Sequence, residues 1–436
     1  MEKYCDITLK EKVNLFSYEY LKCIKFIIDS NDVNYMLTKK LYSKLITTSH
    51  LLEDLLDFHG AKNNKEWVYY REFCALVRHF SLAGYSQKHI LNRYNFYALE
   101  KKDDSEFKRE ANNILKMIQN CLRKASPVIL VEAERLDIRI PEYGYRKAYF
   151  PAIVSGQHLE HNIDEFEDTV DQGKNLTRIA SEFLKIIESF EHFAFYEKYD
   201  SRKLRILVPE KINEVEIRRF EMLLHNLQSS FDSYVISTRF SVSKRKLNQL
   251  RGHFSIVFHI LQVAGRLLHF YERHLHDVGH KDVYNSVSKL LSDMVETDTL
   301  LDLTVNSCLF YAWQFLSSGK ELALQIVNEN MERGSIRVGI PKDRGFHSRP
   351  SMLVAKIVRH YGGEVSLCIN DDKFDASSVL DIQWAGGKIK KENIEEITFK
   401  GDKRALNDIK TLAGVNYGED TMGKGIPLPP ELTYLH

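Results

Sequence analysis

Ile217, Phe220, Leu224, Leu227 and Phe231 recur at i, i+3, i+7, i+10 and i+14, one apolar stripe along an amphipathic helix that must be buried against a core. The start of that helix is marked twice. Asn213 followed by Glu216 forms a capping box, and Ile212 and Ile217 stand at the positions of a hydrophobic staple. Similar periodicity predicts helices over 16–30, 33–58, 65–82, 105–124, 174–198, 244–277, 281–294, 298–317 and 319–333, joined by short polar connections. Proline, which breaks helices, is absent before Pro127 and between Pro209 and Pro341. The first 334 residues therefore read as predominantly α, with long antiparallel helices packed as bundles. No fixed-period repeat argues for a solenoid.

The stretch from Pro127 to Gly173 departs from this pattern. Pro141, Pro151 and Gly156 interrupt it, and Val128-Ile129-Leu130-Val131 reads as a strand, so a subdomain boundary is placed near residue 150. After Arg333-Gly334 the period changes from 3.6 to 2. Ser335 to Ile340 alternates as a strand, 348–361 is helical, and Glu364 to Ile369 alternates again. Phe374 to Ser377 and Glu395 to Phe399 supply two more strands, with a short helix opening at Ser377-Ser378-Val379-Leu380 between them. Ala405, Leu406, Ile409, Leu412 and Ala413 form a last helical stripe. The expected architecture is multidomain: helical subdomains over 1–150 and 151–334, a small α+β open-faced sandwich over 335–418, and an extended or mobile tail over 419–436 that is rich in glycine and proline.

Composition adds little to this picture. Lys and Arg total 61 against 60 for Asp and Glu, so overall charge does not steer the chain toward nucleic acid or an anionic membrane. Met1 to Asp6 lacks the charged-then-apolar pattern of a signal peptide, and no window offers about twenty consecutive apolar residues. The expectation is a cytoplasmic protein. Cys5, Cys23, Cys74, Cys121, Cys308 and Cys368 form no C-x-x-C pair and read as reduced thiols, several of them buried.

The chemistry concentrates at Gly345-Phe346-His347-Ser348-Arg349-Pro350, where an extended segment turns into a helix. A helix start exposes backbone N–H groups and the positive end of the dipole, so an anion carried on His347 would be held by the amides of Ser348 and Arg349 and screened by the Arg349 guanidinium. His347 reads as a carrier of phosphate, because a neutral imidazole is a competent nucleophile toward phosphorus and a phosphoramidate passes its phosphoryl group onward. With these residues and the order of elements around them, the segment 335–418 resembles HPr, the histidine-containing phosphocarrier of the bacterial phosphoenolpyruvate-dependent phosphotransferase system. The resemblance implies that His347 accepts a phosphoryl group from Enzyme I, with Arg349 as its companion. It also implies that Ser378 corresponds to the serine that regulatory kinases phosphorylate in some members. Asp381 stands where those members have glycine and would repel a phosphoserine beside it; as a helix N-cap, Ser378 needs no such role.

Other constellations read more plainly. His253, His259, His269, His274, His276 and His280 form a histidine-rich run, but His259, Gln262, Arg266, His269, Arg273 and His276 share one side of a helix. Cations are poor neighbours for a metal, so that stripe reads as a solvated or partner-facing side, opposite Phe254, Val257, Ile260, Leu261, Ala264, Leu268 and Tyr271, and no metal site is assigned. Glu188 and His192 read as a surface pair, and Lys244-Arg245-Lys246 and Lys388-Lys390-Lys391 as solvated charge, with no nucleic-acid partner. P-loop, nucleophile-elbow and H-E-x-x-H motifs are absent. The combined expectation is a phosphocarrier or regulatory protein needing no cofactor, acting as a phosphoryl carrier more than as a stand-alone enzyme. Its partners would be an Enzyme I-like donor and a phosphoryl recipient or regulated protein. The alternative is a docking scaffold whose HPr-like domain is never phosphorylated.

Overall fold

The computed structural model describes residues 7–30, 37–99, 104–153, 159–160, 172–235, 244–276, 282–342, 344–362, 364–420 and 424–435; Cys5, Gly156, His280 and Gly423 lie outside them. The helical part comprises α1 (Leu9–Asp29), α2 (Lys39–Phe58), α3 (Val68–Arg93), α4 (Asp104–Arg135), α5 (Gln172–Glu191), α6 (Ser201–Leu207), α7 (Glu214–Tyr234), α8 (Lys244–Phe270), α9 (Asp282–Met294), α10 (Thr297–Asp302) and α11 (Phe310–Asn330). A small four-stranded antiparallel sheet follows near the C-terminus, so the chain is mostly helical with a small α+β segment.

Several boundaries differ from the periodicity, each for a local reason. α1 starts at Leu9 because Thr8 and Glu11 close a reciprocal capping box. α3 continues past residue 82 through Gly84, where a Cβ would lie 2.5 Å from the Tyr42 ring; glycine here lets α2 and α3 approach. α4 runs through Pro127, so Val128 to Val131 is helical and not a strand. Proline removes one intrahelical bond, but Leu122, Ala125, Ile129 and Ala133 keep one buried stripe on both sides of it. The two helices expected over 298–333 are continuous from Thr297 to Asn330, with a π segment at Leu303–Leu309.

Contacts divide the chain into two compact units. The first comprises Met1–Glu165, Phe190–His225 and Gly252–Leu316. In it α1 packs on α2, α2 on α3, α3 on α4 and α4 back on α1, as short connections between long amphipathic helices require. Tyr20, Tyr42, Tyr70, Phe73 and Phe80 are fully buried between them. The apolar side of α8, from Phe254 to Leu268, is buried with Tyr271 beyond its end, as expected. Its polar stripe is not a solvated side throughout: His259, Gln262, Arg266 and His269 are half-buried, and only Arg273 and His276 are exposed. The helical stretch Arg245–His276 is long and apolar enough to cross a membrane, but most of its apolar window is buried inside the protein. Cys23, Cys74, Cys121 and Cys308 are free and buried, and burial pushes the Cys23 and Cys308 thiols up to about 12.

The second unit comprises Phe166–Ser189, Asn226–Arg251 and Ser317–His436. Its sheet is built from β1 (Arg333–Gly339), β2 (Val365–Ile369), β3 (Asp372–Asp375) and β4 (Glu396–Asp402) in the order β1-β4-β2-β3. Phe399 on β4 pairs with Ile336 on β1 and Leu367 on β2. Helices α12 (Ser348–Tyr361), α13 (Val379–Glu392) and α14 (Lys403–Gly414) complete the α+β segment. Val365, Leu367 and Ile369 are buried while Ser366 and Cys368 between them are partly exposed, the period-2 pattern of a sheet covered on one face. Val354, Ile357, Ile382, Ile389, Ile409 and Leu412 from the three helices share one core with those strand residues. Segments far upstream join the unit: Ser181 Oγ donates to the carbonyl of Tyr361 at 2.9 Å, and Leu184 packs where a Cβ on Gly362 would sit.

The tail over 419–436 was expected to be extended or mobile; its described part over 424–435 is folded onto this core. Leu432 and Leu435 are buried in it, Lys356 Nζ donates to the Leu435 carbonyl at 2.9 Å, and the Ile426 N–H donates to the Gly418 carbonyl at 3.0 Å. Proline prevents a regular helix, but an apolar residue at every third position still docks through a short 3₁₀ turn, Pro430–Leu435.

Candidate functional site

Between β1 and α12 the chain turns at Gly345, whose φ of +64° lies in the left-handed region that glycine enters without steric penalty. Phe346 then inserts into the core, edge-on to Tyr417 with ring centroids 5.1 Å apart. Gly386 on α13 makes room for it, since a Cβ there would stand 3.0 Å from the Phe346 carbonyl oxygen. A glycine turn followed by a buried aromatic leaves His347 at the N-cap of α12 in extended backbone.

The hydrogen bonds of this turn determine which amides remain. The His347 N–H donates to the Gly345 carbonyl at 2.9 Å, and the Ser351 N–H donates to the His347 carbonyl at 3.2 Å as the first helical bond. Pro350 has no N–H. The donors that α12 itself cannot satisfy are therefore those of Ser348 and Arg349, both exposed residues beside the imidazole.

The imidazole is partly exposed and partnered. His347 Nε2 lies 3.0 Å from Glu419 Oε2, with 32% of the histidine side chain exposed and 2% of the glutamate. A carboxylate only accepts, so Nε2 donates and carries a proton; in the neutral ring the lone pair is then on Nδ1. Glu419 Oε1 is buried with no hydrogen-bond partner among the described residues. Asn416 fastens the two sides of this site: its Oδ1 accepts from the Lys342 N–H at 3.0 Å, and its Nδ2 donates to the Glu419 carbonyl at 3.1 Å. Asn416 and Tyr417 both adopt positive φ, and the Tyr417 hydroxyl is tied to the Gly339 carbonyl at 2.7 Å. A tyrosine in left-handed backbone is held by its surroundings, here the core around its ring.

Arg349 lies against the tail. A Cβ on Gly425 would fall 1.9 Å from Arg349 Nη1, so the guanidinium lies directly against this glycine and would have to shift for any larger residue. Ser348 Oγ accepts from Gln383 Nε2 of α13 at 3.2 Å. Ser378 is the N-cap of that same helix: its hydroxyl accepts from the Asp381 N–H at 3.2 Å and donates to Asp381 Oδ1 at 3.1 Å. α13 reaches the loop through Gln383 and Gly386, while Ser378 is engaged with Asp381. The lysines of α13 act as ordinary charges: Lys388 pairs with Asp372 and Glu392, and Lys390 and Lys391 lie in the last turn, where they complement the helix dipole.

His347, Ser348 and Arg349 were visible in the sequence as neighbours. Glu419, Asn416 and Gly425 were not, because no spacing rule links residues about seventy positions downstream to a loop. Comparison with protein-family models, with curated proteins and with solved structures finds no match to this chain.

Proposed function

We propose that His347 is a reversible phosphoacceptor and that residues 335–418 act as an HPr-like phosphocarrier domain in a cytoplasmic phosphotransferase system. The observation that carries the reading is the partly exposed imidazole at the first turn of α12, with Nε2 bonded to Glu419 and, beside it, the Ser348 and Arg349 amides for which α12 itself supplies no acceptor. Nδ1 attacks the phosphorus of a phosphohistidine donor of the Enzyme I class. The N–P bond to Nδ1 forms as the donor's N–P bond breaks, and the donor imidazole leaves with its electron pair. The product imidazolium keeps its proton on Nε2, where the buried Glu419 carboxylate stabilises the new positive charge. The phosphoryl oxygens are met by the Ser348 and Arg349 amides, the Arg349 guanidinium and the positive end of α12. The helical remainder acts as the regulatory output, docking a partner whose affinity depends on the phosphate.

The test is incubation of the full chain with phosphoenolpyruvate and an Enzyme I shown to be active on ordinary HPr. The expected result is one acid-labile phosphate per chain, absent in His347→Ala. An unlabelled wild-type chain would overturn the carrier reading in favour of a docking scaffold.

A further inference from the structure

The first unit holds a cluster of imidazoles that a phosphocarrier does not use. His79 of α3, His269 near the end of α8, and His274 in the π turn Tyr271–His276 each offer a ring nitrogen, and the three nitrogens lie within 4.8 Å of one another. The π turn assembles the cluster. In a regular α-helix, residues five apart point about 140° from each other. The wider turn carries His274 round toward the side of His269, and isolated π turns of this kind recur at functional sites.

Two of the rings are backed by carboxylates. His274 Nδ1 is hydrogen-bonded to Glu72 Oε2, and His269 Nδ1 to Glu214 Oε2 at 2.7 Å. Because carboxylates accept, neutral His269 and His274 carry their protons on Nδ1 and present Nε2 lone pairs, the orientation that carboxylates impose on metal-ligating histidines. The third ring is the unexplained one. His79 is 2% exposed, and its Nδ1 has no hydrogen-bond partner among the described residues. A buried polar atom left unpaired is costly, on the order of 1–3 kcal/mol.

The nearby charges are mixed. Arg78 Nη2 stands 3.1 Å from His79 Nε2, but its Nε pairs with Glu53 Oε2 at 2.6 Å, so the guanidinium keeps a partner if His79 turns to a metal. Glu53, Glu72 and Glu214 oppose Arg78 and Arg266, which weakens the objection that cations alone surround the site. The rings of His79 and His269 stack with centroids 4.2 Å apart, so ligation requires one ring to swing about its side-chain torsions.

We propose that His79, His269 and His274 bind one divalent first-row transition ion of the zinc class, with Glu72 and Glu214 as positioning residues. Three imidazoles and no thiolate suit such an ion and not calcium or magnesium, and three protein ligands leave a fourth position for water or another ligand. The proposal is independent of the phosphocarrier reading.

The test uses the full chain freed of metal by chelation and titrated with Co²⁺. One equivalent should bind with the visible bands of a four-coordinate site and be displaced by Zn²⁺. His269→Gln/His274→Gln should abolish this binding, and Glu72→Gln should weaken it about 10- to 100-fold. Zn²⁺ should raise the melting temperature of the wild type and not that of the double variant. No bound equivalent in the wild type, or equal binding in the double variant, overturns the proposal. If the double variant does not fold, X-ray absorption on the zinc-loaded wild type decides: three imidazole ligands support it, and fewer than three overturn it.

Discussion

At the scale of single residues, the acceptor loop that we propose separates a nucleophile from the groups that bear charge. His347 supplies Nδ1, while Glu419 holds the proton on Nε2 from a position that is almost completely buried. Replacing that charged acceptor by a neutral one, Glu419→Gln, keeps the shape and weakens the bond to the imidazolium by about 1 kcal/mol, the difference between charged and neutral hydrogen bonds. Transfer from Enzyme I to His347 should slow several-fold, read by the rate of acid-labile labelling. A faster rate in this variant would instead make Glu419 a guard that opposes the incoming phosphoryl group. Arg349→Ala removes the guanidinium donor and should slow the same step about 100-fold, the usual effect of losing one preorganised charge-stabilising group. Labelling at the wild-type rate would exclude Arg349 from the transfer.

At the scale of elements, the tail is part of the fold. Leu432 has no exposed surface and belongs to the same core as Val354, Leu367 and Ile409. Leu432→Ala should destabilise the second unit by about 2–5 kcal/mol, the cost of a large-to-small change in a packed core, measured by denaturant unfolding. An unchanged midpoint would mean that the tail does not pack in solution. The turn into α12 was legible in sequence because Gly345 to Pro350 form one local run at a helix start, and the small sheet was legible from its change of period. Helix ends were less so: Thr8 and Glu11 carry a capping signal, whereas nothing local in Pro127 reveals that burial of Ile129 and Ala133 carries α4 through it. Glu419 and the π turn that joins His269 to His274 depend on tertiary packing, which no local period encodes. The polar stripe of α8, read as a solvated or partner-facing side, is exposed only at Arg273 and His276, and the partners of its other residues arrive from α3 and α7 through tertiary packing.

At the scale of the whole molecule, two histidines, His89 and His360, make stability depend on pH in one direction. His89 is lowered to about 4, by burial first and then by His259 and Lys39. His360 is also lowered to about 4, by burial first and then by Lys185. An unfolded histidine titrates near 6.5, so between about 6.5 and 4 the unfolded chain binds protons that these folded rings do not. Stability from both rings is therefore fully present above about pH 6.5 and is lost as the pH falls through that window. Glu72, lowered to about 2 with the His274 hydrogen bond as its leading stabiliser against burial, acts in the same sense below about 4.5. Glu53 and Glu272, raised by burial, act in the opposite sense, because the folded state retains protons there that the unfolded chain releases. Glu72 titrates well below the region from about pH 6.5 to 5.5, and Glu53 and Glu272 oppose the histidines wherever they release their protons. The urea midpoint should fall on going from pH 7.5 to 5.5. His360→Gln and His89→Gln should each flatten that dependence, with proton uptake on unfolding below one per ring because both are only half-buried. A midpoint that is flat over this range in the wild type would mean that neither ring is held neutral by the fold.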